Sequence, residues 1–228
     1  MSNDVLSEAK NPQRSNYSRF MNLFLIRHTE VEHASGRCIG QSDVPLSKKG
    51  KQDIMTLVEH LKPFAPQRVI SSDLSRCLML AERLGEALSM TVEAKSAWRE
   101  VNFGTWENQS WDDLRGKDAE RFDAWMKDFV RIVPPEGESF LKLQSRIEAE
   151  LNALAEAQSE SVMVITHAGA IRAALSCAIG LPLERAFSIH LNYGALVHLN
   201  FKSGMWTLEN LNNILLSSSC DQPTTYSC

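Results

Sequence analysis

No apolar run in the sequence approaches the roughly 18 residues of a membrane-spanning helix, so no spanning segment is expected. The five cysteines (Cys38, Cys77, Cys177, Cys220, Cys228) are odd in number, widely spaced and without a C-x-x-C pair. That pattern excludes a zinc ribbon, a dithiol redox centre and a disulfide framework, and it fits a reducing, cytoplasmic compartment. Neither sign of charge dominates: 24 Lys and Arg against 28 Asp and Glu leave a net charge of -4. Such a balance offers no general attraction to nucleic acid or to an anionic membrane. Residues 1–20 lack the apolar stretch of a secretory signal and are expected to form a flexible arm, and the polar residues 215–228 a flexible tail. Also missing are G-x-x-x-x-G-K-[ST], H-E-x-x-H, and any carboxylate or His/Cys spacing that reads as a catalytic cation site. Neither a metal nor a cofactor is therefore expected.

What is present is ordinary globular composition, 43% hydrophobic and 23% charged, enough for one domain over residues 21–214. Short apolar runs alternate with helical patterns. The runs at 22–27 (NLFLIR), 68–71 (RVIS), 91–94 and 161–166 (SVMVIT) read as strands, the first as one buried on both faces. Ser47 and Asp73 stand where they can cap the helices that follow the first two strands. Longer helical patterns cover 138–157 and 168–179, and 195–201 with 205–210 reads as a closing hairpin. Residues 98–137 differ, with four of the five tryptophans and a Pro134-Pro135 stop. They are expected to be an insertion that lids the site. Strands alternating with helices predict a three-layer α/β/α sandwich around a mostly parallel sheet.

The chemistry gathers at strand ends. Arg27-His28 closes the first strand and Thr166-His167 closes the fourth. Ligands of open α/β sheets bind beyond the carboxyl ends of strands. Arg76 falls in the first turn of the helix after RVIS, where a planar guanidinium can reach the same edge and fork onto phosphate oxygens. Helix N-termini add further N–H donors. Two imidazoles and arginines on one edge predict an anion site. One decoy is rejected: Cys77 to Arg83 matches C-x5-R, but the spacer Leu-Met-Leu-Ala-Glu is a helix-forming run that cannot curl around phosphate.

Four ordered segments resemble the histidine phosphatase superfamily, the phosphoglycerate mutase-like group. They are Leu25-Ile26-Arg27-His28, Ser71 to Cys77 (SSDLSRC), Arg99 to Glu107 (REVNFGTWE) and Thr166 to Arg172 (THAGAIR). Arg37 to Asp43, Phe122 to Trp125 and Pro135 to Phe140 are most similar to the α-ribazole phosphatases of cobalamin assembly. Thr29 and Ala168 stand where the group usually has glycine, and Ala34 lies near the place of a frequent asparagine. The resemblance implies a cytoplasmic, metal-independent phosphatase acting on a small phosphomonoester, with α-ribazole 5′-phosphate as the first choice of substrate. The alternatives are another small-molecule phosphatase, a phosphoglycerate mutase or, from a different class, a catalytically silent module that binds a phosphorylated ligand. It implies that His28 takes the phosphoryl group, that Arg27, Arg76 and His167 hold its oxygens, and that Glu100 is the general acid and then base. Gln41 is expected to touch substrate. Glu107 is expected to have a surface or hydrogen-bonding role rather than the acid's.

Overall fold

A computed structural model describes residues 20–157 and 159–211. The expected 1–20 arm and 215–228 tail lie outside the described residues, apart from Phe20, which opens the first strand. The strands are β1 (Phe20–Arg27), β2 (Arg68–Ser71), β3 (Val92–Ala94), β4 (Ser161–Thr166), β5 (Leu196–Lys202) and β6 (Met205–Leu211). They form one sheet in the order β3-β2-β4-β1-β5-β6. The first four run parallel, and the β5-β6 hairpin adds antiparallel pairings beside β1.

Side chains alternate across this sheet, and both faces are covered. Leu23 and Leu25 of β1, with Val162 and Val164 of β4, pack toward α5 (Phe140–Glu156) and α6 (Ala168–Ile179). Phe24, Ile26, Met163 and Ile165 point the other way, toward α1 (Lys48–Leu61) and α2 (Ser75–Leu88). Two-sided burial is why these strands read as continuous apolar runs; each such side chain stabilises the fold by about 1.5–3 kcal/mol relative to exposure. The result is the three-layer α/β/α sandwich expected from the alternation.

Helix starts differ from expectation in one case. Ser47 does cap α1, its side chain accepting from the Gly50 N–H. Asp73 does not cap α2: Leu74 is the N-cap residue, and the Asp73 carboxylate instead takes a forked pair of bonds from Arg99 at 2.6 and 2.7 Å. A charge-assisted fork is stronger than a single cap bond. Asp43, from the loop before α1, accepts from the Ser75 N–H in its place.

Residues 98–137 hold a 3-10 turn (Gly104–Trp106) and two short helices, α3 (Trp111–Lys117) and α4 (Ala119–Lys127). Their aromatic rings pack on one another: Trp125 lies about 6 Å, ring to ring, from Phe103, Trp106, Trp111 and Phe129. Trp98, Trp106 and Trp125 are buried in the core. Trp98 and Trp106 also anchor the irregular stretch between them, which carries Glu100.

Candidate active site

Strand register builds the site. Arg27 pairs with Thr166 and Ser71 with Ile165. One residue beyond those pairs stand His28, His167 and Ser72, on three neighbouring strand ends. The His28 N–H donates to the Thr166 carbonyl and the Ser72 N–H to that of Ile165, continuing the ladder by one step. The two imidazoles therefore meet edge to face, with ring centroids 5.1 Å apart.

His28 is buried, and its Nδ1 lies 2.7 Å from the Thr29 carbonyl. A carbonyl only accepts, so Nδ1 carries the proton and Nε2 keeps its lone pair. The bond goes to the backbone of residue 29 and the threonine side chain takes no part in it; its buried hydroxyl has no hydrogen-bond partner among the described residues. Burial, then the charges of Arg76 and Arg27, hold the His28 pKa well below the ordinary imidazole value. The ring is neutral at pH 7, as a nucleophile must be.

His167 is also buried and kept neutral, by burial first and then by Arg76. It is the N-cap residue of α6. Its Nε2 lies 2.8 Å from Ser72 Oγ, and its Nδ1 accepts from Arg76 Nε at 3.3 Å. Both ring nitrogens are thus engaged within the protein. The other Arg76 nitrogens donate to loop carbonyls, Nη1 to Ser42 at 2.8 Å and Nη2 to Gly40 at 2.5 Å. Arg27 lies with its guanidinium carbon 3.9 Å from the centre of the Tyr193 ring and donates to the Leu191 carbonyl. Its buried Nε has no hydrogen-bond partner among the described residues.

Glu100 sits at the N-terminus of α6. One carboxylate oxygen accepts from the Gly169 N–H at 2.9 Å, the other from the Val101 N–H at 3.0 Å. Its backbone is fixed by Arg146 of α5, which donates to the carbonyls of Ala97, Arg99 and Glu100 and pairs with buried Glu138 at 2.8 Å. Gln41 does not point to open space: its side-chain amide donates to the Glu100 carbonyl at 3.1 Å. Cys77 of the C-x5-R decoy is buried in α2 against the His167 ring, 3.4 Å from Nε2, and burial pushes its thiol pKa up.

Ser72, Tyr193 and Arg146 went unnoticed in the sequence. Ser72 had a signal in its place one step beyond a strand end. Tyr193 and Arg146 had none: a loop tyrosine and a helical arginine become part of the site only through long-range contacts.

A neutral imidazole with Nε2 unprotonated, two guanidinium groups and a nearby carboxylate, set at the carboxyl edge of a parallel sheet, have the chemistry of a phosphoryl-transfer site. Residues 23–214 match the Histidine phosphatase superfamily (branch 1), and the chain belongs to that family. It is 28% identical over 195 residues to the adenosylcobalamin/α-ribazole phosphatase of Escherichia coli K12, covering 85% of this chain and 96% of that one. It is 30% identical over 194 residues to the probable phosphoglycerate mutase GpmB of Shigella boydii, covering 82% and 87%. A crystal structure of a putative α-ribazole-5′-P phosphatase from Escherichia coli K-12 superposes with a TM-score of 0.79 at 28% identity, covering 84% of this chain and 96% of that one.

Proposed function

We propose that the chain is a metal-independent phosphatase that hydrolyses a small phosphomonoester through a phosphohistidine on His28. The observation that carries this is the state of His28: neutral, with Nδ1 given to the Thr29 carbonyl and Nε2 left as the attacking atom. In the first step Nε2 forms a bond to phosphorus while the ester oxygen leaves with a proton from Glu100. In the second, Glu100 takes a proton from water, which attacks phosphorus and frees His28 and inorganic phosphate. Arg27 and Arg76 hold the equatorial oxygens and absorb charge as the loose transition state forms. Each charge-assisted hydrogen bond contributes roughly 1.5–3 kcal/mol. His167 supports Arg76 through Nδ1, and it reaches a phosphate oxygen by exchanging one of its two present bonds. Residues 98–137 act as the lid.

Within this class α-ribazole 5′-phosphate is the substrate we favour, supported by the likeness of Arg37 to Asp43, Phe122 to Trp125 and Pro135 to Phe140, and by the relatives that carry this activity in their names. A mutase is the second reading, supported by the likeness to GpmB. Release of inorganic phosphate, as against an isomeric phosphoester, decides between them.

Brief incubation with a radiolabelled phosphomonoester, quenched in alkali, is expected to leave acid-labile label on the wild type and none on His28→Ala. Normal labelling or turnover of His28→Ala would remove the assignment. Exhaustive chelation is expected to leave turnover intact, since the arginines supply the positive charge. Activity abolished by EDTA and restored by a divalent ion would defeat the metal-free mechanism.

A further inference from the structure

Glu107 ends the segment that carries Glu100, yet it has no lone pair to offer a substrate. Its Oε1 accepts from the N–H of Gln41 at 2.7 Å and of Phe103 at 3.0 Å, and its Oε2 from Gly40 at 3.2 Å and Ser42 at 3.0 Å. Four backbone donors fill the roughly four lone-pair directions of one carboxylate. Three of the four belong to residues 40–42. The same three-residue loop turns carbonyls the opposite way, and those of Gly40 and Ser42 accept both terminal nitrogens of Arg76. A Cβ at Gly40 would collide with the Val101 carbonyl and with Glu107 Oε1, so the loop lies directly on its anchor. Arg76 is buried, and its guanidinium takes its orientation from this loop and from His167.

We propose that Glu107 is a positioning residue for phosphate binding: it anchors the 40–42 loop, whose carbonyls set the plane of the Arg76 guanidinium. It touches neither substrate nor the reacting atoms. The proposal rests on Arg76 as a phosphate ligand. An amide at position 107 presents N–H groups to N–H groups on one side, so Glu107→Gln frees part of the loop and lets Arg76 tilt. Small misplacements of a binding group have large effects, and roughly 10- to 100-fold weaker anion binding is expected.

The test is the dissociation constant of orthovanadate for the full chain in four forms: wild type, Glu107→Gln, Arg76→Lys and the double variant. Glu107→Gln is expected to bind more weakly, as is Arg76→Lys. The double variant is expected to bind no worse than Arg76→Lys alone by more than about twofold, because the two changes act on one contact. A general loss of structural quality would instead multiply the two losses. Near wild-type affinity in a folded Glu107→Gln, or a double loss equal to the product of the single ones, overturns the proposal. Gly40→Ala keeps the carboxylate but displaces the loop, and is expected to repeat both the weakening and the lack of additivity. Wild-type affinity in Gly40→Ala overturns the proposal equally. Arg76→Lys binding as tightly as the wild type overturns both this proposal and the role given to Arg76, whereas a weak Arg76→Lys beside a normal Glu107→Gln defeats this proposal alone.

Discussion

A carboxylate that gives a proton in one step and takes one in the next has to be held without being used up. Glu100 and Glu107, seven residues apart, divide on this point: each Glu100 oxygen accepts one backbone N–H, while each Glu107 oxygen accepts two. A ribose 5′-alkoxide is a poor leaving group and needs the proton, an effect worth roughly 10²–10⁴ in rate; nitrophenolate needs little help. Glu100→Gln is therefore expected to lose far more activity on an alkyl phosphate than in first phosphoryl transfer from p-nitrophenyl phosphate. Rapid mixing is expected to show a burst of nitrophenol near one per site, followed by slow turnover. Gly169→Ala tests the same assignment by geometry, since a Cβ there would collide with the Glu100 carboxylate. It is expected to reproduce the selective loss with Glu100 still in the chain. Equal losses on both substrates, without a burst, would make Glu100 structural.

At the scale of elements, short helices α3 and α4 hold position through rings rather than through their own hydrogen bonds, being too short to be stable alone. Trp125→Ala removes the ring at the middle of that cluster and is expected to destabilise the fold by about 3–5 kcal/mol, with a urea midpoint as the measure. A change under about 1 kcal/mol, small on the scale of core truncations, would show the cluster to be loose. The strands and long helices were readable in advance because two-sided burial and helical spacing write themselves into consecutive residues. The strand-end histidines and Arg76 were readable for the same reason: sheet order converts strand endings into neighbours. Long-range satisfaction of polar groups was not readable. Asp73 has the residue type and place of a cap, but its preference for Arg99, 26 positions away, leaves no local trace. The bond from the Gln41 amide to the Glu100 carbonyl, 59 residues distant, leaves no local trace either.

For the molecule as a whole, buried neutral imidazoles tie stability to pH. His28 and His167 both have pKa values depressed below the unfolded value of about 6.5. Above that pH both states carry neutral rings and nothing changes. Below it the unfolded chain takes up protons that the folded chain refuses, so stability falls as pH falls, by about 1.4 kcal/mol per unit for each ring. Carboxylates held in pairs, such as Asp73 and Glu93, have depressed values too and add their losses lower, below about pH 4. Urea unfolding between pH 7 and 5 is expected to show this slope, and His28→Asn to lessen it. An unchanged slope in that variant would mean that His28 titrates normally in the fold.

His28, the proposed nucleophile, follows an interior strand flanked on both sides, whereas Glu100 hangs on an irregular stretch whose backbone is pinned by Arg146 from a separate helix. Irregular segments open at lower free energy than central strands. On warming, then, with p-nitrophenyl phosphate, whose leaving group needs little help from an acid, the reaction cycle is expected to break in its second half first: His28 still accepts a phosphoryl group, but no carboxylate stands ready to activate the water. Heat damage would be written on the chain as phosphate that stays, before any of the fold is lost.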